Sequence, residues 1–109
     1  LTVVFALPTM ASVGLTEKQA KEKGFQYKVN YKSADDWFNA KRLNVKEYAF
    51  KTIVDQEEQI LLGAHLIGPN SEEVINIFAM AIKTKMKLQE LRTMIFTYPT
   101  MVSDIPHML

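Results

Sequence analysis

A chain of 109 residues with 48% apolar and 23% charged side chains has the composition of one globular domain with a single core. Its formal net charge is +1, the lysines are dispersed, and no arginine cluster is interleaved with aromatics, so no surface for nucleic acid or an anionic membrane is indicated. No apolar run approaches the ~20 residues needed to span a bilayer. The absence of cysteine excludes a disulfide framework, a thiolate metal site and a cysteine nucleophile within these residues.

Thr2 to Ala6 is β-branched and apolar and predicts a strand, ended at Leu7-Pro8-Thr9 because proline cannot donate to a ladder. The chain opens with Leu1 directly before that strand and shows no signal-peptide cleavage site, so it reads as cut from a longer polypeptide, with residues 1–109 as one domain. Ala11-Ser12-Val13-Gly14-Leu15 reads as a connection to Thr16. Thr16 and Gln19 have the spacing of a capping box, opening a short helix that stops at Gly24. From Phe25 to Lys32 apolar and polar residues alternate, the pattern of a half-buried strand with one wet face.

Asp35 to Ala40 predicts a short helix with Trp37 and Phe38 packed inward. Tyr48 to Val54 and Gln59 to Ile67 predict two strands joined by the hairpin turn Asp55-Gln56-Glu57-Glu58. Gly68-Pro69-Asn70 ends the sheet, and Asn70 with Glu73 gives the N-cap and N3 pairing of the longest helix, running to Met86. Val74, Ile75, Phe78, Ala79, Ala81 and Ile82 form its apolar stripe. Ile77, Met80 and Met86 widen that stripe beyond what one face of a small sheet requires. Leu88 to Ile95 predicts a second helix. The order predicts an α+β fold, an antiparallel sheet with helices packed on it.

The stretch Ile95-Phe96-Thr97-Tyr98-Pro99-Thr100-Met101-Val102-Ser103-Asp104 follows this helix. Its X-Pro bond biases Tyr98 away from the α region, presenting an aromatic hydroxyl on a turn. Taken alone, this is a capped turn.

Three blocks in order carry a resemblance across nearly the whole chain. Phe5 to Glu17 is similar to the Phe-Thr-x-Pro-x-x-Ala-x-Val-Gly-x-Thr-Glu opening of the C-terminal dimerisation domain of FAD-dependent pyridine nucleotide-disulfide oxidoreductases. Ile60 to Pro69 resembles that family's Ile-Leu-Gly-Ala-His-x-x-Gly strand, and Glu72-Glu73-Val74-Ile75 continues into the expected helix. Tyr98-Pro99-Thr100 falls where the family has His-Pro-Thr. The nearest group is glutathione reductase, lipoamide dehydrogenase and mercuric reductase.

The resemblance implies an interface domain of a homodimeric, cytoplasmic flavoenzyme, with FAD and NAD(P)H held by other domains of the same chain and a small-molecule disulfide as substrate. It also implies that the closing segment reaches the partner subunit's active site. Tyr98 would then take the acid-base position, and Pro99 and Thr100 would shape the turn beside the partner's FAD. The histidine's orienting glutamate lies five positions on in the family, where this chain has Ser103; Asp104, one residue further, is the candidate shifted carboxylate.

Tyrosine changes the chemistry of that position. Histidine titrates near neutrality and can take and return a proton. Tyrosine, with a pKa of about 10, is chiefly a hydrogen-bond donor at neutral pH. Soluble pyridine nucleotide transhydrogenases carry a similar Tyr-Pro-Thr-Met segment, and coenzyme A disulfide reductases use tyrosines near a single cysteine. A transhydrogenase, another non-disulfide flavoprotein and a free-standing dimeric interaction module therefore stand as alternatives to a glutathione reductase-like enzyme.

The other chemistry-bearing residues have plainer readings. His65 lies within a strand without a neighbouring ligand residue and reads as structural. His107 follows Pro106 near the chain end and reads as a tail residue rather than a substitute base. Met80, Met86, Met94, Met101 and Met108 read as core or interface filler, and no metal site is expected. Asp35-Asp36 and Glu57-Glu58 read as solvated turn charges.

Overall fold

The computed structural model describes residues 1–4, 9–33, 49–68, 70–94, 105, 108 and 109. In chain order it forms β1 (Thr2–Val4), β2 (Met10–Gly14), α1 (Glu17–Glu22), β3 (Tyr27–Ser33), β4 (Ala49–Asp55) and β5 (Ile60–Ile67). Two helices follow, α2 (Ser71–Thr84) and α3 (Leu88–Thr93). The strands make one five-stranded sheet of order β1-β2-β5-β4-β3. All neighbouring pairs are antiparallel. The α+β fold expected from the sequence is the fold observed.

Local chemistry accounts for most of the elements. Thr16 and Gln19 satisfy each other's backbone amides at 3.1 and 2.9 Å, the expected capping box of α1. The helix ends with Gly24 at φ 80°, a left-handed position where a Cβ would be strained. The hairpin is the expected one: β4 and β5 pair through the 56–59 turn, where Asp55 Oδ1 accepts from the Glu57 and Glu58 amides at 3.0 and 3.5 Å.

Two local expectations are corrected. The run predicted as a connection after Met10 is strand β2, pairing β1 on one side and β5 on the other. Alanine, serine and glycine have weak strand preference, and tertiary pairing overrides it. At α2, Asn70 occupies the N-cap position at φ 63°, and its side chain makes no cap hydrogen bond. Left-handed backbone, which asparagine tolerates, puts its carbonyl rather than its amide at the helix start, and that carbonyl accepts from Glu73 and Val74 at 3.0 Å each. Ser71 Oγ closes the turn by donating to the Gly68 carbonyl at 2.7 Å. The predicted Asp35–Ala40 helix and the end of the Thr2–Ala6 strand lie outside the described residues.

A register shift at Ile53/Val54 divides the core. Leu62 packs with Ile53 and Ala20 under α1, a small cluster bordered by Leu15, Tyr27 and Val29. Leu61, Ala64 and Leu66 join the larger core with Ala11, Phe50 and Val54 and the α2 residues Val74, Ile75, Phe78 and Ala81. Helix α2 lies across β2 and β5. The link from α2 to α3 is tied back to the hairpin: the Leu88 amide donates to Gln59 O at 2.8 Å, and Lys87 Nζ donates to Glu58 O at 2.6 Å.

Candidate functional site

The sequence-predicted site residues Tyr98, Pro99, Thr100 and Asp104 lie outside the described residues, as does His107. Both boundaries of their segment are described. On the near side, α3 buries Leu88 and Leu91 against the core, while Met94 just beyond it is 40% exposed. On the far side, Ile105 and Met108 are 0% and 1% exposed and belong to the main core cluster. The stretch 95–104 therefore begins and ends at points fixed in the hydrophobic core.

The far anchor carries a polar lock that sequence reading missed. Thr52, 0% exposed on β4, donates its hydroxyl to the Met108 carbonyl at 2.6 Å. Asn30, its register partner on β3, donates its amide to the same hydroxyl at 3.4 Å. The available signal was the two-residue period, which puts a threonine on the buried face between Phe50 and Val54.

The wide apolar stripe of α2 is largely taken up by the sheet. Val74, Ile75, Phe78 and Ala81 face inward, while Glu73, Asn76, Met80, Lys83 and Thr84 face out. Met80 is 63% exposed at the centre of that outer face, with Ile77 half-buried beside it. On the opposite side of the sheet, among the described residues, α1 covers part of the surface and leaves a groove of about 400 Å³ whose lining includes Val4, Met10, Tyr31, Lys51 and His65. His65 makes a 3.3 Å contact from Nε2 to the Leu15 carbonyl, in keeping with its reading as a structural residue. Lys51 pairs with Glu17 at 3.3 Å.

Among the described residues the one buried side-chain atom without a partner is Glu72 Oε2. The three buried polar side chains are spent internally, Thr52 on Met108, Asp55 on its turn and Ser71 on Gly68. No group of three or more His, Asp or Glu residues is placed to hold a metal ion among them. What the arrangement can do is present one helix face to a partner and hold a short segment at two fixed ends.

The family model described as pyridine nucleotide-disulphide oxidoreductase, dimerisation domain, matches residues 1–109. The chain belongs to this family. The dimerisation domain is 47% identical over 108 residues to an uncharacterised 19.7 kDa protein of a mercuric resistance operon in Staphylococcus aureus, covering 99% of this chain and 60% of that protein. It is 34% identical to a mercuric reductase of Lysinibacillus sphaericus, over 94% of this chain and 19% of the enzyme. The structure of the HOCl-induced flavoprotein disulfide reductase RclA from Escherichia coli superposes with a TM-score of 0.92 at 34% identity, over 98% of this chain and 25% of that one. The dimerisation domain thus spans three fifths of one relative's length and about a fifth to a quarter of the others.

Proposed function

We propose that this domain forms the two-fold interface of a homodimeric, cytoplasmic oxidoreductase that uses FAD and NAD(P)H, and that residues 95–104 deliver Tyr98 to the partner subunit's disulfide-reducing site. The match of the dimerisation-domain model over residues 1–109 carries this reading. The two core anchors flanking residues 95–104 support it, since a segment that completes another subunit's site must start and end at fixed points. FAD, held by other domains, would pass electrons from the nicotinamide to the substrate.

This chain's own contribution is the Tyr98 hydroxyl. At neutral pH it donates a hydrogen bond, so its fitting role is to stabilise a leaving thiolate rather than to act as base. The outer face of α2, centred on Met80, is the surface that meets the second copy. The relatives described above join mercuric reductase and RclA to the glutathione reductase-like expectation, so the substrate class is a small disulfide or another thiol-reactive oxidant.

The test uses the full-length flavoenzyme carrying this domain. Turnover of oxidised glutathione and hydride transfer to a nicotinamide analogue are measured for the native protein and Tyr98→Phe. Disulfide turnover that falls at least tenfold in the variant supports the reading. Rapid transhydrogenation without disulfide turnover in the native enzyme would overturn it.

One observation favours a second reading, a free-standing dimeric interaction module. The 19.7 kDa relative leaves only two fifths of its length outside the match, too little for two dinucleotide-binding domains of roughly 100–200 residues each. Flavin absorbance in the purified native protein separates the two, since the module alone would be colourless.

A further inference from the structure

We propose that Thr52 is a positioning residue, whose hydroxyl latches Met108 and so sets the far boundary of residues 95–104. The inference rests on the reading of that stretch as the closing segment. Ile105 and Met108 are apolar pegs, and apolar burial is non-directional: a chain end held by pegs alone can slide by a residue and bury nearly the same area. A hydroxyl aimed at one carbonyl is directional. At 2.6 Å, Thr52 selects the Met108 carbonyl and thereby the register of the tail. Asn30, across the β3–β4 pair, aims its amide at the Thr52 oxygen, which orients the hydroxyl hydrogen toward the tail.

The location adds weight. Thr52 lies in the middle of β4, with Asn30 on one side and Ala64 of β5 on the other, so its own backbone is held by the sheet. The latch is therefore referred to the most rigid part of the fold. At the other boundary, α3 is held by Leu88 and Leu91 and by the Leu88 amide on Gln59. A segment with both ends fixed samples far fewer arrangements than one with a free end. Positioning of this kind is what a residue serving a neighbouring subunit's site requires.

Thr52→Val tests the latch because it keeps β-branching and strand preference while removing the hydroxyl, and with it both the donor to Met108 and the acceptor for Asn30. It leaves the Met108 carbonyl buried without that partner. Thr52→Ser restores the donor. In the full-length flavoenzyme, exchange of the Met108 and Leu109 amides is expected to rise about tenfold in the valine variant and to return toward native with serine. Disulfide turnover should fall by a similar factor in kcat, while flavin reduction by NAD(P)H, which uses other domains, stays unchanged.

Met108 and Leu109 amides equally protected in the valine variant would overturn the latch. A tail that opens with no loss of turnover, in an enzyme where Tyr98→Phe is slow, would overturn the positioning role alone. If Tyr98→Phe itself has no effect, the closing-segment reading fails and the positioning role fails with it, and the tail exchange tells these failures apart.

Discussion

The crossing of the Leu15 backbone over Gly63 gives the sharpest test of how the sheet is assembled. A Cβ built on Gly63 would lie 1.9 Å from the Leu15 carbonyl oxygen and 3.0 Å from its carbonyl carbon and amide nitrogen. Ordinary contact begins at 3.4 Å, so Gly63→Ala requires the two backbones to separate by about 1.5 Å. No flexible side chain can absorb that movement, because the atoms met are main chain on both sides. The shift would break the 2.9 Å bond from the Leu15 amide to Leu62 O and the 3.3 Å contact of His65 with Leu15 O. It would also lift α1, and Ala20 with it, from Ile53 and Leu62.

Overpacking of this kind costs about 1–3 kcal/mol, and the lost backbone hydrogen bond adds about 1 kcal/mol. The expected total of about 2–4 kcal/mol is a large fraction of the roughly 5–15 kcal/mol that stabilises a domain. Gly24→Ala is the control, since φ is 80° there but nothing lies within 4 Å of the added methyl. It isolates the left-handed penalty of about 1–2 kcal/mol. Urea unfolding of the three proteins, followed by far-ultraviolet circular dichroism, gives midpoint and slope for each. A Gly63→Ala loss below about 1 kcal/mol, or smaller than that of Gly24→Ala, would refute the steric argument.

How far the fold was legible depended on whether the information was local. The capping box at Thr16 and Gln19 and the hairpin around Asp55 each depend on residues three or four apart, and each is present as read. Strand β2 was not legible, because Ala11, Ser12 and Gly14 prefer no strand until β1 and β5 flank them. The alternation from Phe25 onward correctly marked β3, yet Tyr31 on the face expected to be buried is 70% exposed. Helix α1, spanning Glu17–Glu22, is too short to cover that end of the edge strand. The width of the α2 stripe was legible and its use was not, since periodicity cannot say how much of a stripe the sheet will take. The tail lock joins Thr52 to Met108 across the whole length of the sequence between them, and no local pattern reports such a pairing.

Thr16→Ala removes the hydroxyl that accepts from the Gln19 amide at the start of α1, leaving the Thr16 amide its bond to Gln19 Oε1, and should cost about 1 kcal/mol, read as a lower urea midpoint with unchanged slope. A midpoint equal to native would mean that the Leu15 crossing alone seats the helix. Met80→Glu addresses the proposed homodimer. At 63% exposure, Met80 loses little by the exchange in the monomer, and a glutamate there gains Lys83 three residues on as an ion-pair partner. Monomer stability should hold, while sedimentation equilibrium should show self-association weakened at least tenfold, because each copy would bury a charge near the two-fold axis. Met10→Glu, in the groove on the opposite side of the sheet, should leave association unchanged. The reverse pattern would move the interface from the outer face of α2 to the open sheet.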